Sequence, residues 1–351
     1  MDATRPSSTY VELHAHSCWS LREGASATDE LIDRALQLGY PALALTDHDN
    51  LYGAMEFAKA ANERGLKPIT GAEITIGYSP SPATAGSRES GPEGEGPTSH
   101  LTILAMDVTG YRNLCRLLSR AYQVHGKDTP LVEREWLFEL NEGLIVLSGC
   151  RDSELVRLSD PSVASSSHSA AMELATAYRA IFGDRYYIEL QHHDVFGDTE
   201  RVAALASLAE QLGIETVATN NVHYHVRTRH RLNDVLVAVR HRQTLDSSHQ
   251  VRRPNSEFFL KPAAGMARRF ERYPQAIENT LAIAERCQFD LTRDLPYRLP
   301  DYPVPEGATL DSHLRGICGP AFRRKYPATD PFQKEARERL ERELTLIAKH
   351  G

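Results

Sequence analysis

Short apolar runs that end on side chains able to bind a metal recur along this chain, and that rhythm limits its fold more than any other feature. The run "VELHAH" ends on His14 and His16, and Ala42 to Thr46 empties into Asp47, His48 and Asp49. "KPITGAEITI" delivers Glu73, "LNEGLIVLSGC" ends at Cys150, "DRYYIELQHHD" at His192 and His193, and "GIETVATNNVHYH" at Asn221 and His223. Between these runs the sequence marks helices. In "SATDELIDRALQLGYP", Thr28 reads as the N-cap, Asp29 and Glu30 fill the first turn, and Leu31, Ile32, Ala35 and Leu36 recur at helical spacing before Gly39 and Pro41. A second helix runs from Tyr52 to Arg64, and "SSSHSAAMELATAYRAIFG" and "TERVAALASLAEQLG" supply two more. Alternating strand and helix, with polar residues at the strand exits, is the pattern of a parallel α/β barrel or a doubly wound sheet. The fold class is therefore α/β.

Side chains of a strand alternate between faces, so His14 and His16 share one face and Leu13 and Ala15 the other. Two imidazoles side by side at a strand end begin a metal site. On this stretch alone, two partly buried histidines without a ligand read equally well. The same pair of readings applies elsewhere: His48 is a ligand or part of a strand-end turn, Glu73 a ligand or a solvated carboxylate, Cys150 a ligand or a small buried hydrophobe. Asp47 and Asp49 stand where they can orient the His48 imidazole. His192, His193 and Asp194 read as a polar loop, and Arg151, although near a helix start that could meet a phosphate, reads as a surface residue.

A length of 351 residues with 41% apolar content suits one barrel plus an appendage around a sizeable core. The net charge of −7 removes a globally basic surface as a route to nucleic acid, and basic character is local, in the amphipathic stretch "HVRTRHRLNDVLVAVRHRQ". Five scattered cysteines make no disulfide framework, "MDATRPSST" has no signal-peptide core, and no apolar run approaches the roughly 18 to 20 residues needed to span a bilayer. A cytoplasmic protein with no membrane partner is expected. The Pro-, Gly- and Ser-rich residues 79–99 read as a flexible loop. Near the C-terminus, Glu335 precedes Arg339 by four residues and Glu338 precedes Arg342 by four, a spacing that supports an exposed helix, with Leu340, Leu344 and Ile347 as its apolar stripe.

In order along the chain, the two histidines, "LTDHDNLYGA", "GAEI", "HLTILAMDVTGYRNLCRL", "NEGLIVLSGC" and "VATNNVHYH" resemble the N-terminal PHP (polymerase and histidinol phosphatase) domain of bacterial C-family DNA polymerases. That group holds the DNA polymerase III alpha subunit and its error-prone relative, and "VRHRQTLDSSHQVRRPNSEFFLKP" leans toward the error-prone branch. The resemblance spans essentially the whole chain. It implies a disordered stretch at 1–9, a distorted TIM-like (β/α)7 barrel over 10–290, and over 291–351 a helical extension leading toward a polymerase palm absent from this chain.

Carried over residue by residue, the metal site of that domain falls on His14, His16, Glu23, His48, Glu73, His100, Cys150, Asn221 and His223. Hydrolysis would depend above all on His14, His16, Glu73 and His223. Asn221 departs from the pattern, since active members carry Asp there; an amide oxygen brings no negative charge, which puts one ion of the cluster in doubt. His100 opens its strand where the other ligands close theirs. The resemblance implies two or three Zn²⁺ or Mn²⁺ ions and metal-dependent phosphodiester hydrolysis, as a 3′–5′ proofreading exonuclease when DNA is the substrate. The partners it implies are a DNA 3′ end or primer–template and the remainder of a polymerase chain or other replisome or translesion subunits. Two alternatives stand beside it: a non-catalytic PHP module that stabilises a polymerase, and a free-standing PHP phosphatase.

Overall fold

The computed structural model describes residues 9–77, 98–160, 165–295 and 302–350. They fall into two compact units, Met1–Leu295 and Pro296–Gly351. In the first, helix α1 (Thr28–Gln37) leads to strand β1 (Ala42–Leu45), helix α2 (Ala54–Glu63) to β2 (Lys67–Gly77), and β3 (Thr98–Ala105) is followed by α3 (Val108–His125), β4 (Val132–Glu133) and α4 (Arg134–Glu139). Then come β5 (Leu144–Leu147), α5 (Glu154–Leu158), α6 (Ser165–Phe182), β6 (Tyr186–Gln191), α7 (Asp198–Leu212), β7 (Thr216–Thr219), α8 (His230–Arg240), α9 (Ala263–Arg269) and α10 (Pro274–Arg286).

The sheet order is β1-β2-β3-β5-β6-β7, with β4 paired to β2. The stretch that carries the paired histidines closes it. Glu12 bridges to Leu43 of β1 while Ala15 bridges to Val222 just past β7, so the sheet curls into a barrel. The architecture is α/β as expected, with one correction to a purely parallel reading. β3 runs antiparallel to both β2 and β5.

A second correction concerns the histidine strand. The Ala44 N–H bonds to Glu12 O and the Thr46 N–H to Ala15 O, three residues against two, so the strand carries a bulge. Leu13 therefore belongs to the apolar cluster of Ala42, Ala44, Ile69, Leu104, Ile145, Leu147 and Val217, whereas Ala15 belongs to a separate one that includes Leu31, Leu43 and Phe57. The two do not share a face. The layer that includes Leu13 draws residues from β1, β2, β3, β5, β6 and β7, and Ile283, Ala284 and Cys287 at the end of α10 pack against it. Apolar side chains thus fill one part of the barrel, and polar ones are gathered at the carboxyl ends of its parallel strands.

Local signals explain most boundaries. The N-cap of α1 lies one residue earlier than the expected Thr28: it is Ala27, its N–H held by Glu30 at 3.0 Å, while the Thr28 hydroxyl bonds to Glu56. Asp107 caps α3 by accepting the Gly110 N–H at 2.9 Å. Residues expected to be disordered or in a loop, 1–8 and 79–97, lie outside the described residues; Thr98 and Ser99 belong to β3. No helix among the described residues is long and apolar enough to cross a membrane.

In the second unit, helices α11 (Leu310–Lys325) and α12 (Gln333–His350) bury Phe322 and Leu344. Arg315 pairs with Glu341 at 2.8 Å. Arg339 pairs with Glu343, the acid four residues after it rather than Glu335, and Ile347 of the expected apolar stripe is about half exposed at 49%.

Candidate metal centre

One buried carboxylate gathers the site. Glu73 Oε1 lies 3.3 Å from His14 Nε2 and 3.6 Å from His100 Nδ1; its Oε2 lies 3.5 Å from His16 Nε2 and 3.8 Å from His48 Nδ1. Strand register brings these together. His48 bridges to Glu73, and His100 pairs with Thr75 across the β2–β3 ladder. Because β3 is antiparallel, its first residues lie at the end of the barrel where the parallel strands finish, which is why His100 opens its strand and still reaches the site.

The imidazoles are oriented from behind. His14 Nδ1 is 2.7 Å from Glu189 Oε1, and Glu189 also accepts from Gln191 Nε2 at 2.8 Å and from the Thr219 hydroxyl. His16 Nδ1 lies 3.1 Å from Ser20 Oγ, which donates to Asp47 Oδ1 at 2.6 Å and accepts the His48 N–H at 3.0 Å. A proton on Nδ1 of each ring satisfies these contacts and leaves Nε2 turned toward Glu73. Asp47 thus acts on His16 through Ser20 and does not touch the His48 ring. Asp49, held in a left-handed backbone conformation, approaches His48 Nε2 at 3.3 Å and accepts from the Thr75 N–H and hydroxyl at 2.6 and 2.7 Å.

The Nε2 atoms of His14 and His16 and Oε1 of Glu73 are buried with no hydrogen-bond partner. Buried polar atoms left unpaired cost on the order of 1–3 kcal/mol each, so three converging at one point fit a cation-binding site. Three groups bring ligand atoms within 4.8 Å of one another: His14, His16 and Glu73; His48, Glu73 and His100; His100, Cys150 and Asp152. The donor set fits a divalent metal. Nitrogen and sulfur donors with one bridging carboxylate suit Zn²⁺ in particular.

Electrostatics agree with that fit. Burial opposes charge on His14, but Glu189 and then Glu73 outweigh it and raise its pKa to about 10. Burial likewise works against the Glu73 carboxylate, and His100 and His14 hold it well below the ordinary range. Burial pushes the Cys150 thiol up and His16 down. A bound ion would replace the proton between His14 and Glu73 and draw the thiol toward thiolate.

Six of the nine expected ligands, His14, His16, His48, Glu73, His100 and Cys150, fall in these groups. The other three lie beside them. Glu23 Oε2 is 2.9 Å from His48 Nδ1 and is ion-paired with Arg240. His223 stacks on His16 with ring centroids 4.3 Å apart, and its Nε2 lies 2.8 Å from Asn221 Oδ1. All nine except His14 and His16 line a cavity of about 1220 Å³, whose wall also holds Arg151, Asp152 and His193. His192 and Asp194 stand outside it, bound to Arg269.

Sequence reading passed over Glu189 and Asp152. Glu189 left a signal: polar residues at 189 and 191 alternate with apolar Ile188 and Leu190 near the end of β6, so one face of that strand turns polar as it reaches the site. Asp152 left only its spacing, two residues beyond Cys150.

The chain is 36% identical to the error-prone DNA polymerase of Symbiobacterium thermophilum, over 98% of this chain and 31% of that protein. It is 36% identical to DNA polymerase III subunit alpha of Thermus aquaticus, over 93% of this chain and 27% of that protein. The chain therefore spans about a third or less of the curated relatives it matches. An amidohydrolase from Chromobacterium violaceum aligns in structure with a TM-score of 0.39 at 18% identity, covering 62% of this chain and 88% of that one. The PHP domain model matches residues 12–193, a span that contains the whole Glu73 cluster, and the chain belongs to the PHP domain family.

Proposed function

We propose that this chain is the PHP portion of a bacterial DNA polymerase of the DNA polymerase III alpha or error-prone kind, and that it hydrolyses phosphodiesters at DNA 3′ ends with the help of Zn²⁺ or Mn²⁺. The observation that carries the reading is the Glu73 carboxylate in contact with four imidazoles, two of which turn an unpartnered Nε2 toward it. His14, His16 and Glu73 hold one ion and His48, Glu73 and His100 a second, with Cys150 and Asp152 beside His100 as further donors. When bound, divalent metals lower the pKa of a water and neutralise charge on a phosphoryl oxygen, which is most of what phosphodiester hydrolysis needs.

The protein's own share is positional. Glu189 and Ser20 hold the rings of His14 and His16, and Glu23 and Asp49 flank the ring of His48. The barrel would occupy residues 10–290, and 291–351 would lead into the polymerase core, so that the partners are a primer–template and the polymerase itself. One observation favours a second reading, a PHP module that only stabilises a polymerase: Asn221 brings no charge to the cluster and is hydrogen-bonded to His223.

Metal content per chain and nuclease assay decide between them. The chain purified without chelator or histidine tag is expected to carry about two equivalents of zinc or manganese by elemental mass spectrometry and to shorten a 3′-labelled primer. Less than one equivalent, not restored by added metal, would leave the structural module as the correct reading.

A further inference from the structure

Among the described residues, one arginine held inside the cavity has no carboxylate at ion-pair distance. Of the arginines that line it, Arg201, Arg240 and Arg252 each hold a carboxylate, on Asp198, Glu23 and Asp234, and Arg22 and Arg151 stand exposed. Arg253 is different. Its guanidinium lies over the ring of Phe258, 4.7 Å from the centroid, and one NH2 group is 2.9 Å from His223 Nδ1. Its Nε is buried without a hydrogen-bond partner, and among the described residues no carboxylate reaches ion-pair distance of it.

That contact decides what His223 can do. A guanidinium only donates, so His223 Nδ1 accepts, and the ring proton must sit on Nε2, which donates to Asn221 Oδ1 at 2.8 Å. This is the opposite tautomer to the one that frees Nε2 on His14 and His16. His223 therefore offers no lone pair where a metal ligand would need one, and Asn221 offers no charge. The guanidinium lines the same cavity as the metal-binding Glu73, His48, His100 and Cys150.

We infer that Arg253 is the phosphate-binding residue of this cavity, supplying at the Asn221–His223 end the fixed positive charge that bound metal supplies at the Glu73 end. The ligand is the anionic phosphoryl group of a phosphodiester, taken by the planar fork of the guanidinium that Phe258 and His223 hold in place. The inference rests on the proposed phosphoesterase reading and identifies what would position its substrate. His223 and Asn221 then act as positioning residues for Arg253 and not as metal ligands.

Calorimetric titration of inorganic phosphate into the chelator-treated 351-residue chain tests this without hydrolysis or metal. Arg253→Met is expected to bind phosphate roughly ten- to hundredfold more weakly than the wild type, with Arg253→Lys between them, and both variants should take up as much zinc as the wild type. Equal affinity in Arg253→Met, no phosphate binding by the wild type, or zinc lost together with phosphate would each overturn the inference. Should Arg253→Met fail to fold, Arg253→Lys decides: it keeps the charge and loses the fork, and affinity within about twofold of wild type would sink the assignment. Failure of the loaded wild type to cut a primer would instead count against the proposed hydrolysis and leave the phosphate titration readable.

Discussion

Glu189 Oε1 lies 2.7 Å from His14 Nδ1, with both side chains fully buried, and this contact determines which nitrogen of His14 faces Glu73. Burial works against the Glu189 carboxylate, yet His14 and the hydrogen bonds from Thr219 and Gln191 hold its pKa below the usual carboxylate value. A charged acceptor behind an imidazole fixes the tautomer and makes the opposite nitrogen a stronger donor to metal. The acid at the end of β6 therefore tunes a ligand that leaves the N-terminal strand, 175 residues earlier.

Glu189→Gln should weaken metal binding without removing a ligand. The amide keeps the shape and loses the charge, and such orienting partners typically contribute 10- to 100-fold in affinity. Competition of the zinc-loaded chain with a chromogenic chelator measures this directly. Wild-type affinity in the variant would show that Glu189 only fills space.

Replacing His14 and His16 together by alanine should remove one metal equivalent and abolish hydrolysis. These rings supply two of the three donors in the group completed by Glu73. Elemental analysis and a primer-shortening assay on the same repurified sample test both expectations. Activity that persists would place hydrolysis elsewhere in the molecule.

Much of the fold was legible because it is local. Gly39 and Pro41 end α1 where their conformational preferences require, and the strand exits at Thr46 and Cys150 follow from short apolar runs bounded by polar residues. The antiparallel course of β3 was not legible, since strand direction depends on partners and not on the strand's own residues. His100 consequently looked misplaced in sequence and is well placed in space. The bulge that separates Leu13 from Ala15 leaves no mark in an alternating pattern. Arg253 was hidden for a third reason: it lies in a non-periodic segment 30 residues beyond His223, and only the folded chain brings the two together.

Gly149→Ala should destabilise the barrel and disturb the site at once. Gly149 has φ +90°, and a Cβ there would meet the carbonyl oxygen of His100 at 2.0 Å, backbone that cannot swing aside. Strain of both kinds suggests a loss of about 2–4 kcal/mol in urea denaturation. Zinc uptake at the His100–Cys150 pair should fall with it. Unchanged stability would mean that the turn after β5 is free to adopt another path.

Acid should unfold the chain partly through His193. Its ring stacks on Phe258, centroids 3.9 Å apart, and Nε2 donates to Asn220 O at 2.8 Å. Burial lowers its pKa to about 3, against about 6.5 in an unfolded chain. Below pH 6.5 the unfolded state takes up a proton that the folded state refuses until about pH 3, so this group's contribution to stability is complete above 6.5 and is lost as pH falls through that window. Between pH 6.5 and 5.5 the loss amounts to about 1 kcal/mol. His193→Gln, which cannot be protonated there, should show a shallower fall in urea midpoint over that unit than the wild type, both measured metal-free so that the ligand histidines contribute equally. Parallel curves would mean that His193 gains its proton in the folded state, in which case its Nδ1 edge must become accessible to water in mild acid while Nε2 still donates to Asn220 O.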